Sequence, residues 1–200
     1  MAQLAGILLA AGASRRMGTP KAGLRLDGET FAARGLRLLA DAGCSPLVVV
    51  TGVHHDAVLA ALPDGHAARV VPNPAPARGQ LSSLKVGLRR VLEESADVDG
   101  VVVALVDHPA VAATTVRALF EAGSAGTTPI VVPVFRARRG HPVVFLRVVF
   151  DELLATGDEL GARAVVRRDP LRVTEVVVDD PGIITDVDTP AALAGLGRTR

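Results

Sequence analysis

Apolar residues along this chain fall into short unbroken runs, separated by longer stretches in which they recur at helical spacing. The runs occupy residues 4–10, 47–51, 68–71, 101–106, 130–134, 143–145 and 173–178, and they are rich in Val, Leu and Ile. A strand with one wet face alternates apolar and polar positions. Most of these runs do not alternate, so they are expected to be central strands covered on both faces. The amphipathic stretches at 30–42, 56–62, 81–94, 114–122, 147–156, 161–168 and 190–196 are expected to be helices. Strand and helix therefore take turns, which predicts a three-layer α/β/α sandwich built on a mostly parallel sheet. Residues 131–144 break the rhythm. Two strand-like runs meet there across the short basic link 136–140, which predicts a small antiparallel insertion.

Composition narrows the function. With 200 residues, 49% hydrophobic and 22% charged, the chain suits one domain with a sizeable core, and no repeat or linker divides residues 1–200. A net charge of +1 with both signs mixed gives no basic field for nucleic acid, and the lack of Trp and Tyr removes base-stacking platforms. Cys44 is the only cysteine, so no intrachain disulfide forms, and a reducing compartment with a buried thiol is expected. The apolar stretch 4–13 is too short to span a bilayer. Its arginines, Arg15 and Arg16, follow it rather than precede it, the reverse of a secretion signal, so a cytoplasmic protein without membrane contact is expected.

The first apolar run leads into Gly6-Ile7-Leu8-Leu9-Ala10-Ala11-Gly12-Ala13-Ser14-Arg15-Arg16-Met17-Gly18-Thr19-Pro20-Lys21. Small side chains let the backbone approach a ligand, and successive N–H groups can cradle phosphate oxygens. Arg15, Arg16 and Lys21 add formal charge. Only Lys21 and Lys85 among the 22 basic residues are lysines, so position 21 stands out as wanting a compact ammonium. A P-loop is excluded because Thr19-Pro20-Lys21 follows Gly18 where Lys-Ser/Thr is required, and the dinucleotide fingerprint fails on glycine spacing. A plain surface loop with incidental arginines remains the alternative at this point.

A triphosphate reacts with a divalent cation, which takes one or two carboxylates from protein. Asp107, in Val106-Asp107-His108-Pro109, stands where the run 101–106 ends, the edge at which open parallel sheets bind ligands. An Asp there also serves to cap a turn or the next helix. Asp186-Val187-Asp188-Thr189-Pro190 places a second carboxylate pair just before a helix, where Asp188 or Thr189 could equally be the cap.

Leu9-Ala10-Ala11-Gly12, Ser14, Arg16-Met17-Gly18 and Pro20-Lys21 resemble the signature of the MobA-like NTP transferases, and the likeness runs from about residue 4 to 193. The resemblance implies a Rossmann-like, GT-A-like nucleotidyltransferase fold and a loop that wraps a nucleotide. It implies that Lys21, Asp107 and Arg15 are catalytic and that Asp107 and Asp188 hold Mg2+, or Mn2+ in its place, with Asp186 beside them. Asn73, Gly79, Ser82 and Ser83 match the segment that contacts base and ribose, and either serine could instead cap the adjoining helix. Asp179-Asp180 has no match and is expected to be a solvated turn. Ala11 and Pro20 are similar to the cytidylyltransferase type rather than the guanylyltransferase type, so the implied nucleotide is CTP. Gly140-His141-Pro142 and Gly161-Ala162-Arg163 resemble its acceptor side, where Arg136, Arg138 and Arg139 could hold an anionic acceptor or equally form a charged hairpin tip. The implied reaction transfers CMP to a molybdopterin-type phosphate, the product passing to a molybdoenzyme or its chaperone. A same-fold transferase acting on a sugar phosphate, and a non-catalytic cofactor carrier, are the competing readings. A carrier has no use for Lys21, Asp107 and Asp188.

Overall fold

The computed structural model describes residues 2–196. Strand β1 (Leu4–Ala10) is buried at all seven positions, which is why its sequence shows no polar alternation. It is flanked by β4 (Leu47–Thr51) and β6 (Gly100–Leu105), both parallel to it, and β4 pairs in parallel with the edge strand β5 (Arg69–Pro72). Beyond β6 the sheet turns mixed. Strand β9 (Val143–Leu146) runs antiparallel to both β6 and β7 (Ile130–Phe135), and β10 (Val173–Val177) closes that edge parallel to β7. The expected antiparallel insertion is the hairpin of β7 with β8 (Arg138–Arg139), and its two turn residues, Arg136 and Ala137, both have positive φ. A separate ribbon of β2 (Arg25–Leu26) and β3 (Glu29–Thr30) lies after the glycine-rich loop.

Helices cover both faces. Leu4, Leu8 and Ala10 belong to a core with α1 (Phe31–Asp41) and α4 (Ala113–Ser124). Ala5, Ile7 and Leu9 point the other way, into a core with α3 (Gln80–Glu94), α5 (Phe150–Ala155) and α6 (Ala162–Arg168). The alternating side chains of one strand thus supply both layers of the sandwich. The short α2 (His55–Leu59) follows β4, and α7 (Pro190–Leu196) follows the Asp186–Asp188 segment. Among the described residues, no helix is long and apolar enough to cross a membrane. The carboxyl ends of β1, β4, β5 and β6 share one edge of the sheet, and the loops leaving it carry the glycine-rich segment and Asp107.

Candidate active site

The chain leaves β1 at Ala10 and folds back on itself through residues 11–20. Ser14, in the left-handed region at φ 51°, accepts at its carbonyl from the Met17 (3.1 Å) and Gly18 (3.2 Å) N–H groups. Its Oγ accepts from the Lys21 N–H at 3.1 Å, so this one residue closes the loop. Buried Met17 pins it to the core beneath. Two residues that sequence reasoning missed hold it from the side of β4. His54 Nε2 donates to the Ala13 carbonyl at 3.1 Å. Gly52 lies so close that a Cβ there would stand 2.3 Å from the Ala11 carbonyl oxygen.

Asp107 follows β6, and the Asp186–Asp188 segment is laid beside it by the Val187 N–H, which donates to the Asp107 carbonyl at 2.8 Å. Lys21 Nζ bridges the two carboxylates, 3.2 Å from Asp107 Oδ2 and hydrogen-bonded to Asp188 Oδ1. Arg16 pairs with the other oxygen of Asp188. Burial acts to raise the Asp107 pKa, but the 3.1 Å hydrogen bond from His108 Nδ1 and the Lys21 ammonium outweigh it, and the carboxyl titrates at about 2. The Lys21 hydrogen bond holds Asp188 below the usual carboxylate range as well, against its own partial desolvation. Both groups are therefore anionic at neutral pH. Two converging carboxylates bridged by one ammonium offer hard oxygen donors of the kind that could hold magnesium or manganese. Among the described residues no three His, Cys, Asp or Glu side chains cluster as a metal cage. Asp186 is exposed and does not line the cleft; its carboxyl lies against that of Asp188.

Two clefts meet at this edge. The first, about 400 Å³, is lined by Leu9, Ala10, Ala11, Gly12, Ser14, Arg15, Arg16 and Lys21 from the loop and by Asp107 and Asp188 opposite. Gly79 and Ser83 line it too, as do Pro76 and Gln80 of the same stretch and one residue not anticipated, His54. The second, about 570 Å³, has an apolar floor that includes Leu81, Val103, Val143 and Phe145, and Arg78, Arg139, Arg163 and Arg167 also line it. Leu9, Gly79, Gln80 and Leu105 belong to both walls. Gly79 adopts φ 107°, a conformation glycine reaches without strain, and from it α3 begins with its N-terminal end at the junction of the clefts.

Several expected residues do other work. Asn73 is buried and faces inward: its Nδ2 donates to Ser82 Oγ (2.9 Å) and Ser83 Oγ (3.0 Å), and its Oδ1 accepts from the Ala75 N–H. Ser82 Oγ donates to the Gly79 carbonyl at 2.8 Å. Asn73 and Ser82 thus brace the 73–83 loop rather than line a cleft, and neither serine caps α3, whose N-cap is Gly79. Lys85 spans 2.7 Å to Asp158 and donates to the Thr156 carbonyl, tying the 156–161 loop to α3. Arg136 stacks on Phe135 and Arg139 pairs with Glu175 at 2.7 Å; Arg136 and Arg138 line neither cleft. His141 lines the second cleft, edge-on to His108 with ring centroids 5.4 Å apart. Burial, then the neighbouring His108, pushes its pKa down to about 4, so it is neutral near pH 7. Asp180 is not a solvated turn. It is buried at 6% exposure, and its carboxylate accepts from the Ala112 and Gly182 N–H groups and the Thr115 hydroxyl.

Residues 6–173 match the model of the MobA-like NTP transferase domain. The chain belongs to this family. It is 32% identical to nicotine blue oxidoreductase of Paenarthrobacter nicotinovorans over 193 residues, 92% of this chain and 91% of that one. A shorter stretch of 47 residues, 24% of this chain and 23% of its relative, is 60% identical to the probable molybdenum cofactor guanylyltransferase of Opitutus terrae. Among solved structures, Rv0371c from Mycobacterium tuberculosis H37Rv superposes with a TM-score of 0.82 at 34% identity, over 97% of each chain. Its complex with manganese gives a TM-score of 0.78 at 33% identity, over 98% of this chain and 97% of that one. The chain is thus a nucleotidyltransferase by family and fold.

Proposed function

We propose that this chain, as one domain, is a cytoplasmic, divalent-cation-dependent cytidylyltransferase that moves CMP from CTP to the terminal phosphate of a molybdopterin-type acceptor. The observation that carries the proposal is the meeting of Lys21, Asp107 and Asp188 against the glycine-rich loop, beside the wall where the two clefts adjoin. The triphosphate takes the first cleft, where Arg15, Arg16 and loop N–H groups offset the β and γ charges. The acceptor takes the second, its ring system on the apolar floor and its phosphate toward Arg163 and Arg167. An acceptor oxygen forms a bond to the α-phosphorus, the bond to the bridging oxygen breaks, and pyrophosphate leaves with that electron pair. No general base is required, because a phosphate monoester with a second pKa near ~6 is already ionised. His141, neutral and half-buried in the wall of the second cleft, fits a hydrogen-bonding role toward the acceptor. Asp107 and Asp188 would hold Mg2+ or Mn2+, which when bound supplies charge neutralisation on the triphosphate. The manganese complex of Rv0371c supports a divalent ion. Lys21 supplies the fixed positive charge of the chain itself, and positioning plus charge neutralisation account for the rate.

Cytidine is favoured by Ala11, buried in the wall of the first cleft, and by Pro20 before Lys21. The test is to incubate the protein with a molybdopterin-type acceptor, Mg2+ and each of the four triphosphates in turn, reading pyrophosphate release and product mass. A cytidine dinucleotide is the expected product. Turnover with GTP alone would move the chain to the guanylyl branch, and reduction or oxidation of a pigment without pyrophosphate would move it toward the named oxidoreductase. Asp107→Ala should fold normally and lose turnover by about 10²-fold or more, the range seen when one preorganised electrostatic partner is removed.

A further inference from the structure

Asp188 sits on a segment, residues 185–188, with no regular secondary structure. A carboxylate on such a segment keeps its place only if the backbone is tied to something rigid. The structure supplies three ties. Asp180 Oδ2 accepts from the Ala112 N–H at 2.8 Å and from Thr115 Oγ at 2.7 Å, while its Oδ1 accepts from the Gly182 N–H at 2.9 Å. Ile183 is fully buried, and its carbonyl accepts from the His141 N–H at 2.9 Å. The Val187 N–H reaches the Asp107 carbonyl. Of these, only Asp180 joins the segment to a helix. Ala112 is the N-cap residue of α4 and has no side chain able to cap; a carboxylate from 68 residues away accepts from its N–H and from the Thr115 hydroxyl in the first turn, where the helix dipole also favours negative charge. The fit is tight: a Cβ on Gly182 would stand 2.4 Å from the Ala110 carbonyl oxygen, in the loop that begins with Asp107.

We propose that Asp180 is a positioning residue for the divalent cation, setting the distance between Asp188 and Asp107 by fastening the 180–188 segment to the start of α4. The proposal rests on the reading that Asp107 and Asp188 hold the ion. The test measures Mn2+ binding to the nucleotide-free protein, well below its melting temperature, by electron paramagnetic resonance. The proteins compared are the wild type, Asp180→Asn, Thr115→Val, Thr115→Ser and Asp188→Asn. Asp188→Asn should bind Mn2+ at least about tenfold more weakly, and Asp180→Asn should fall in the roughly 10–100-fold range of groups that orient metal ligands. Thr115→Val should weaken binding in the same direction, and Thr115→Ser, which keeps the hydroxyl, should restore it. Should Asp180→Asn fail to fold, the Thr115 pair decides. Wild-type affinity in Asp180→Asn or Thr115→Val, with Asp188→Asn impaired, overturns the positioning role. Wild-type affinity in Asp188→Asn overturns the cation reading itself, and the positioning role with it.

Discussion

A methyl group at position 52 should weaken nucleotide binding although Gly52 lines neither cleft. The Cβ of Gly52→Ala would stand 2.3 Å from the Ala11 carbonyl oxygen and 3.0 Å from the Ala11 carbonyl carbon and Cα, all backbone atoms. Contacts under 3.0 Å are essentially never tolerated, so the Ala11 oxygen must retreat from 2.3 to at least 3.0 Å, a shift of 0.7 Å or more. The loop cannot absorb this at one residue, because the His54–Ala13 and Ser14–Lys21 hydrogen bonds fix the residues on its far side. It moves together, or it gives up those bonds. A misplacement of about 1 Å can cost up to about 10²-fold in rate. The expected fall in kcat/KM for the triphosphate is therefore roughly 10–100-fold, equivalent to about 1.4–2.7 kcal/mol. Overpacking of this kind also costs about 1–3 kcal/mol of stability. Gly12→Ala is the matching control: a Cβ there meets nothing within 4 Å and the residue is outside the left-handed region. That variant should melt like the wild type and raise KM solely through contact with the bound triphosphate. Thermal melts, with pyrophosphate release measured across a range of triphosphate concentrations, separate the two. Wild-type kcat and KM in Gly52→Ala would refute the claim that loop position limits binding.

Ionisation gives two further outcomes. Burial pushes the Cys44 thiol up to about 12, so at pH 8 the native protein should react with a thiol reagent orders of magnitude more slowly than the unfolded chain, and fast native labelling would show that the core around it is not closed. Asp107 titrates at about 2 in the fold against an ordinary 3.8, so its stabilisation is complete above about pH 4 and is lost as pH falls through 2. Asp107→Asn should therefore flatten the acid limb of the stability curve between pH 4 and 2, measured by urea titration at each pH, and an unchanged limb would count against the His108 hydrogen bond and the Lys21 ion pair that depress its pKa.

How much of this was legible depends on whether the information is local. The run at 4–10 announced a strand buried on both faces because nothing polar could be accommodated there, whereas the small residues and clustered positive charge of the loop after it suited an anion but equally a plain surface loop, until the family signature was weighed. The order of strands was not local. Residues 131–144 disclosed an antiparallel piece, yet nothing in them says that β9 lies between β6 and β7. Gly52 and His54 became visible only once β4 was seen beside β1, since each acts on a loop about forty residues away. The ribbon of β2 and β3 was readable in principle, because Asp27-Gly28 supplies both left-handed turn positions, but strands of two residues carry no alternation. Resemblance selected Asn73 and Ser82 without revealing which way their side chains point, and they point inward. Asp180 was hidden for a different reason: an acidic pair next to a proline ordinarily faces water. Its trace lay elsewhere in the chain, at the start of α4, where Ala112-Ala113 provides no capping side chain and the Ala112 N–H finds its acceptor at a distance. At this uncapped helix start the acceptor is a carboxylate remote in sequence, and it sits on the segment that carries Asp188.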